Sequence, residues 1–115
     1  YGRGVYWTKE ATNGLEERTE ILDLRSISPI DFALIAHRVK ETHRALIVTE
    51  EPVQNSFAQA LAGRISAELF EHLDAPVQVV GSMETPAIPL NESLERFVLV
   101  NSEKVRSCLD ETLAF

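Results

Sequence analysis

The chain has 115 residues, the length of one domain that buries roughly two thirds of its unfolded surface in a single core. Its formal net charge of −7, with 11 basic residues spread along the chain, argues against a nucleic-acid partner, because phosphate binding needs clustered Lys and Arg side chains. The single cysteine, Cys108, excludes a disulfide scaffold, and no apolar run approaches the ~20 residues that span a bilayer, so we expect a cytoplasmic protein.

The chain opens on a glycine-rich turn, YGRG, which predicts a helix over about residues 5–13 that ends at Gly14. In an α/β chain such a turn normally follows a strand. We therefore expect the natural polypeptide to continue upstream of Tyr1, with a strand directly before it. Gly2 and Gly4 give a Gly-X-Gly pair without the third glycine, which is a weak dinucleotide-binding signal.

The segment EILDLRSISPID, residues 20–31, is the stretch around which the chain is organised. An apolar strand over about Ile21 to Arg25 leads into a helix that we expect to begin at Pro29 and to end near Thr42. Ser28 is the predicted N-cap and Asp31 lies in the first turn. The residues at helical spacing that should form its apolar face are Phe32, Ile35, Ala36 and Val39.

The same strand-to-helix pattern recurs further along the chain. Ala45 to Thr49 is rich in branched residues, which is typical of a strand covered by helices on both faces. Ser56 and Gln59 have the spacing of a capping box and predict a helix to about His72. The residues expected on its packed side are Phe57, Ala58, Leu61, Ala62, Ile65 and Leu69. We expect it to be the central packing helix.

The last third predicts a short strand, an extended loop and a final helix. The strand covers Val77 to Val80 and should end at Gly81, and two prolines predict a loop from Ser82 to about Leu94. Asn101 or Ser102 caps the final helix, whose packed side is Val105, Cys108, Leu109 and Thr112. The alternation of strands and helices predicts a three-layer α/β fold, a mainly parallel open sheet flanked by helices.

Ligands of open parallel sheets usually bind beyond the carboxyl ends of the strands, which directs attention to residues 25–28, to residues 50–56 and to the loop after Gly81. Glu50 and Glu51 could serve as an acid/base pair there. Neighbouring residues of a strand point to opposite faces, however, so we do not expect them to share a site.

Asp23 invites comparison with the acceptor aspartate of a signalling receiver domain. No acidic pair precedes it to hold magnesium, so a structural acid is the favoured interpretation. His37, His43 and His72 are too far apart in sequence to predict a local metal site. We therefore expect no catalytic, cofactor-binding or metal-binding residues in this chain.

The order of ILDLRSISPID, ALIVTEEP, FEHLDAPV and ETPAIPL resembles the C-terminal domain of the β chain of thiamine-diphosphate-dependent 2-oxo acid dehydrogenases, which is related to the transketolase C-terminal domain. Its most specific parts are DLRSISPID at 23–31 and LDAPV at 73–77. The chain departs from the family at residues 54–56, Gln-Asn-Ser, where many members have two glycines. Thr85-Pro86 is more similar to the branched-chain enzymes than to the pyruvate enzymes.

The resemblance implies a whole enzyme that decarboxylates 2-oxoisovalerate on thiamine diphosphate and magnesium and passes the acyl group to a lipoyl arm. A pyruvate dehydrogenase β chain is the alternative within the family. Residues 1–115 would be a single domain of a longer chain, without the cofactor-binding domains. A different class of function, a free-standing regulatory or ligand-binding α/β module, also stays open.

The same resemblance implies partners for the domain. These are the other α and β chains of the enzyme and the basic subunit-binding domain of the acyltransferase core. A terminal aromatic residue and a free carboxylate follow an amphipathic helix at the end of this acidic chain. We therefore expect Phe115, with Asp110 and Glu111, to lie in or near the docking surface.

Overall fold

The computed structural model describes all residues from 1 to 115. The five α-helices are α1 (Gly4–Ala11), α2 (Phe32–Thr42), α3 (Phe57–Glu68), α4 (Glu92–Val98) and α5 (Ser102–Ala114). The two strands are β1 (Leu46–Pro52) and β2 (Gln78–Ser82), and a 3₁₀ turn (Phe70–His72) follows α3. None of the helices combines the length and the apolar character that a membrane crossing requires.

The two strands form a small parallel sheet. Leu46 lies opposite Gln78 and Val48 opposite Val80, and the pairing shifts before Pro52 meets Ser82. The crossover between the strands runs through α3, as a parallel pair requires. The predicted α/β fold with a parallel open sheet is confirmed.

Helices cover both faces of the sheet, because neighbouring residues of β1 point in opposite directions. Ile47 belongs to the larger apolar cluster, which α2 and α3 contribute, and Val48 to the smaller one, with α1 and α5. The larger cluster contains Ile35, Val39, Ile47, Ala58, Leu61, Ala62, Ile65 and Leu69. The smaller cluster contains Ala11, Val48, Val100 and Val105. The fold therefore has three layers, helices, sheet and helices.

Local capping explains where the predicted helices begin. The Ser56 hydroxyl accepts a hydrogen bond from the amide of Gln59 at 3.0 Å, and Asn101 accepts one from the amide of Lys104 at 3.0 Å. Each bond satisfies one of the unpaired N–H groups of a first helical turn. The residues predicted for the packed sides of α2, α3 and α5 are buried or half-buried. These parts of the sequence-based prediction are confirmed.

The strand predicted over Ile21 to Arg25 does not form. Leu22 and Leu24 are half-buried and pack against the larger apolar cluster, so the apolar residues were correctly identified. No backbone hydrogen bond joins residues 20–25 to β1, and a strand exists only where its backbone groups pair with a neighbour.

The start of α2 was also predicted wrongly. The helix begins at Phe32, and the N-cap is Asp31, whose carboxylate accepts from the amide of Leu34 at 3.0 Å. Ser28 and Pro29 lie outside the helix, in a turn closed by an antiparallel bridge between Ile27 and Ile30. That bridge gives residues 28 and 29 a turn conformation instead of a helical one.

Gly81 lies inside β2 instead of ending it. A Cβ atom at this position would lie 2.6 Å from the carbonyl oxygen of Glu51, so only glycine allows this close approach of the two strands. At its C-terminal end, α3 stops at Glu68, and the 3₁₀ turn takes the place of the last helical residues that we predicted before His72.

The predicted loop from Ser82 to Leu94 is shorter than expected, because α4 begins at Glu92. Asn91 is its N-cap and accepts from the amides of Ser93 and Leu94 at 3.0 and 3.2 Å. At the other end the Lys104 ammonium group donates to the carbonyl oxygens of residues 97 and 99, which fastens α4 to α5. Both prolines of the segment precede Asn91, so they do not prevent this helix.

Candidate functional site

At the carboxyl end of β1, the site expected for a ligand holds a closed hydrogen-bonded cluster instead. The Tyr1 hydroxyl donates to Glu51 Oε1 at 2.5 Å and accepts from Thr49 Oγ1 at 2.9 Å. Thr49 is completely buried. The Tyr1 ring meets the ring of Phe57 edge to face, with 5.6 Å between the centroids. This cluster fastens the first residue of the chain to the sheet.

Burial, and then the hydrogen bond to the Glu51 carboxylate, raise the pKa of the Tyr1 hydroxyl to about 12. A phenol with so high a pKa stays protonated near neutral pH and is a poor proton-transfer group there. The Tyr1 hydroxyl is therefore suited to a structural bond instead of acid/base chemistry.

Glu50 and Glu51 do not converge. The Glu51 carboxylate turns inward to Tyr1, whereas Glu50 is exposed and its carbonyl oxygen accepts from the Ser82 hydroxyl at 2.6 Å. The expectation that they do not share a site is confirmed, for the reason given by the alternation of a strand.

The other candidate residues lie apart. Asp23 forms a surface ion pair with Arg25. His37 lies 3.7 Å from Glu41 on α2, and His43 Nδ1 lies 2.9 Å from the carbonyl oxygen of His72. The structure contains no group of three or more His, Cys, Asp or Glu side chains that could hold a metal ion.

The Gly-X-Gly pair at the start of the chain serves packing. A Cβ atom on Gly4 would lie 2.9 Å from the carbonyl oxygen of Val48, so glycine lets α1 approach β1 closely. Gly2 has a positive φ of 58° and forms the turn before α1. No third glycine follows, and these contacts account for both positions.

The residues predicted for docking lie on and after α5, but they do not form one patch. The Asp110 carboxylate is held by Arg106 Nε at 3.1 and 3.2 Å. Arg106 also donates to the carbonyl oxygens of Ala11 and Asn13, each at 3.2 Å. Asp110 therefore takes part in the contact between α5 and α1.

Glu111 and Phe115 are both exposed, and 63% of the Phe115 surface is accessible. They are four residues apart, which places them on one side of the last helical turn. These two side chains are free to meet a partner, whereas Asp110 is already paired.

A shallow groove between α1 and α5 brings Asp110 together with two acids that sequence reasoning missed, Glu10 and Glu103. We call this surface the acidic groove. Arg106 is the one basic residue that lines it, although Glu103 also pairs with Arg96 at 2.8 Å. The sequence gives no signal for this grouping, because only the packing of the first helix on the last one creates it.

A second surface is apolar. Five large hydrophobic side chains between residues 83 and 97 are exposed, and Leu90 has no burial at all. We call residues 83–97 the exposed apolar segment, and its exposed members are Met83, Ile88, Leu90, Leu94 and Phe97. Apolar residues concentrated in this way mark contact surfaces for other chains. The prediction of an extended loop left their role unassigned.

Comparison with known proteins adds to this geometry. Residues 1–105 match the family described as "Transketolase, C-terminal domain". The chain is 30% identical over 118 residues to the 2-oxoisovalerate dehydrogenase subunit beta of Bacillus subtilis, covering 100% of this chain and 36% of the relative.

Two further relatives are similar. The 3-methyl-2-oxobutanoate dehydrogenase subunit beta of Mycobacterium tuberculosis is 34% identical over 94 residues, which is 82% of this chain and 26% of the relative. The pyruvate dehydrogenase E1 component subunit beta of Rhizobium meliloti is 32% identical over 108 residues, which is 91% of this chain and 23% of the relative. The chain thus spans about a third or less of the length of these relatives.

Proposed function

The chain belongs to the transketolase C-terminal domain family, and from this premise we propose that it is the subunit-association and partner-docking domain of a 2-oxoisovalerate dehydrogenase β chain. The observation that carries the proposal is the match over residues 1–105 together with relatives that are β subunits of 2-oxo acid dehydrogenases. The whole enzyme would decarboxylate its 2-oxo acid on thiamine diphosphate.

The geometry at the carboxyl end of the sheet supports a domain that does not itself carry the chemistry. The Tyr1 hydroxyl, which a parallel sheet could have offered to a ligand there, is bonded to Thr49 and Glu51. Glu50 and Glu51 face different directions. We infer that thiamine diphosphate and magnesium are held by other domains of the whole enzyme.

The two exposed surfaces fit two kinds of contact. The exposed apolar segment suits stable association with other α and β chains of the enzyme, because permanent interfaces are rich in buried apolar area. The acidic groove and the nearby end of α5 suit a basic partner that binds and dissociates, and net charge −7 would speed its approach. The subunit-binding domain of the acyltransferase core is the partner that we propose.

The choice of 2-oxoisovalerate over pyruvate draws on the Thr85-Pro86 pair and on two relatives whose names specify branched-chain substrates. The pyruvate enzyme of Rhizobium meliloti is nearly as similar, so pyruvate is the competing substrate.

A substrate comparison on the assembled enzyme tests the proposal. The α chain and the complete β chain are produced together and assayed for decarboxylation of 2-oxoisovalerate and of pyruvate, with thiamine diphosphate and magnesium. A larger kcat/KM for 2-oxoisovalerate is expected. A larger value for pyruvate would assign the other member of the family, and activity with neither substrate would favour a free-standing module.

A further inference from the structure

A groove of about 170 Å³ runs along the edge of β1 that faces away from β2. One wall is the strand from Leu46 to Val48, and the other is the extended stretch of residues 20–24. Ile35 and Val39 of α2 also line it, and 12 of its 17 lining residues are hydrophobic. An apolar groove beside a free strand edge is the kind of surface that accepts a further strand.

Both walls of this groove carry unpaired backbone groups. The carbonyl oxygen of Ala45 accepts from the amide of Gln78 at 3.1 Å, which places Ala45, Ile47 and Thr49 toward β2 in a parallel ladder. Leu46 and Val48 then direct their N–H and C=O groups into the groove. No backbone hydrogen bond joins them to residues 20–25. Such unpaired groups next to an apolar surface are costly unless something satisfies them.

The position of Tyr1 defines the direction in which an occupant would run. Tyr1 lines the groove and is bonded at the carboxyl end of β1 through Thr49 and Glu51. Its amino group is half-buried there, and this burial lowers the pKa of the amine. A segment joined to that amino group would have to rise along the groove in the same direction as β1.

Arg44 marks the opposite end. Its side chain lines the groove, and its Nε atom is buried without a hydrogen-bond partner. A segment that enters beside Arg44 and leaves at Tyr1 would give this donor a backbone carbonyl or a carboxylate to bind. At ~3.3 Å per residue, the length of β1 between residues 45 and 49 corresponds to about four or five residues of strand.

We propose that this groove holds a β-strand, parallel to β1, formed by the segment that is joined to the amino group of Tyr1 in the complete polypeptide. Strands lie ~4.8 Å apart, so one strand between β1 and residues 21–24 would pair with both walls. The sheet would then have four strands, in the order residues 21–25, the new strand, β1 and β2. Alternate apolar side chains of the new strand would cover Leu22 and Leu24 on one face and α1 on the other.

The proposal explains the one predicted strand that the structure lacks. Residues 21–25 have the apolar pattern of a strand and pack on the core, but they have no partner. The relatives named above are long enough to supply one, since this chain spans 36% or less of each. This inference concerns the fold of the domain and holds for either substrate of the proposed enzyme.

Hydrogen exchange measured by NMR tests it. Two proteins are compared: the 115-residue chain, and the same chain extended by the about eight residues encoded directly before Tyr1, enough for one strand. We expect the amides of Leu46 and Val48 to exchange at least about tenfold more slowly in the extended chain, because they gain hydrogen-bond acceptors. The amides of Ile47 and Thr49, already directed to β2, serve as internal references.

A matched extension with proline at alternate positions has the same length but lacks the N–H donors, and it should give no such protection. Equal exchange of Leu46 and Val48 in the chain with and without the natural extension would overturn the proposal. So would protection that grows with the concentration of the 115-residue chain, because a second copy would then fill the groove. If that chain fails to fold, the complete β chain decides, and rapid exchange of both amides there would also overturn the proposal.

Discussion

The hydroxyl of Tyr1 donates a hydrogen bond to the carboxylate of Glu51 at 2.5 Å, joining two residues that are 50 positions apart in the sequence. The bond connects the turn before α1 to the carboxyl end of β1. Thr49, completely buried between them in sequence and space, donates to the same hydroxyl at 2.9 Å. The first residue of the chain is thus part of the sheet edge instead of a free end.

Substitution Tyr1→Phe should lower the free energy of unfolding by about 1–2 kcal/mol, because Glu51 loses a donor while the ring stays packed on Phe57. The measurement is a urea titration followed by circular dichroism. Tyr6→Phe is the matched control, since 74% of Tyr6 is exposed and it should change stability by less than about 0.5 kcal/mol. Equal losses in the two variants would show that the Tyr1 hydroxyl contributes nothing.

The same hydroxyl gives the protein a dependence on alkaline pH. Its pKa in the folded state is raised from 10.0 to about 12, so folding favours the protonated phenol. The resulting stabilisation is complete below pH 10 and is lost as the pH rises toward about 12. In this window the wild-type protein should lose stability more steeply than Tyr1→Phe, as measured by urea midpoints at several pH values. Parallel curves would contradict the assignment.

The spacing of the apolar residues of α3 leads to a third prediction. Leu61 is buried in the larger apolar cluster, and Leu61→Ala should cost about 2–5 kcal/mol through lost burial and the cavity left behind. Leu90→Ala makes the same chemical change at a fully exposed position and should cost less than about 0.5 kcal/mol. A loss below about 0.5 kcal/mol for Leu61→Ala in a denaturant melt would mean that α3 is turned differently.

Two glycines separate close packing from backbone freedom. Gly81→Ala should destabilise the fold by about 1–3 kcal/mol, because the new Cβ atom would lie 2.6 Å from the carbonyl oxygen of Glu51. Gly63→Ala, in the middle of α3 with no atom within 4 Å, should raise stability by about 0.5–1 kcal/mol. Thermal unfolding of both variants checks this. A change of the same sign in both would contradict the close approach of β1 and β2.

The features that the sequence predicted well are those decided by nearby residues. The side chain of Ser56 and the amide of Gln59 are three positions apart, so the start of α3 is visible in the sequence. The strand at residues 21–25 was predicted from its own pattern, but pairing depends on a neighbour that this pattern does not contain. The contact of Arg106 with Ala11 joins positions 95 residues apart, which no local pattern reveals. The acidic groove was missed for the same reason.

The last prediction concerns the docking surface that we propose for the end of α5. Glu111 and Phe115 are exposed on one side of the last helical turn, whereas Asp110 is held by Arg106. Asp110→Asn would therefore disturb the contact between α1 and α5 as well as the surface charge. Glu111→Gln and deletion of Phe115 are the cleaner changes, because they remove one charge and one aromatic ring without breaking a hydrogen bond observed in the structure.

We expect both changes to weaken binding of a basic subunit-binding domain to the dimeric β chain by about two- to tenfold, without a change in melting temperature. The effect of Glu111→Gln should shrink between low and moderate salt, since screening weakens exposed charge pairs, while the effect of the Phe115 deletion should persist. Glu68→Gln removes the same charge from α3, on the opposite face of the sheet, and should leave binding unchanged. Titration calorimetry at the two salt concentrations measures all three. Unchanged affinity for both α5 variants at both concentrations would remove Glu111 and Phe115 from the interface, and an equal loss for Glu68→Gln would show that only total charge matters.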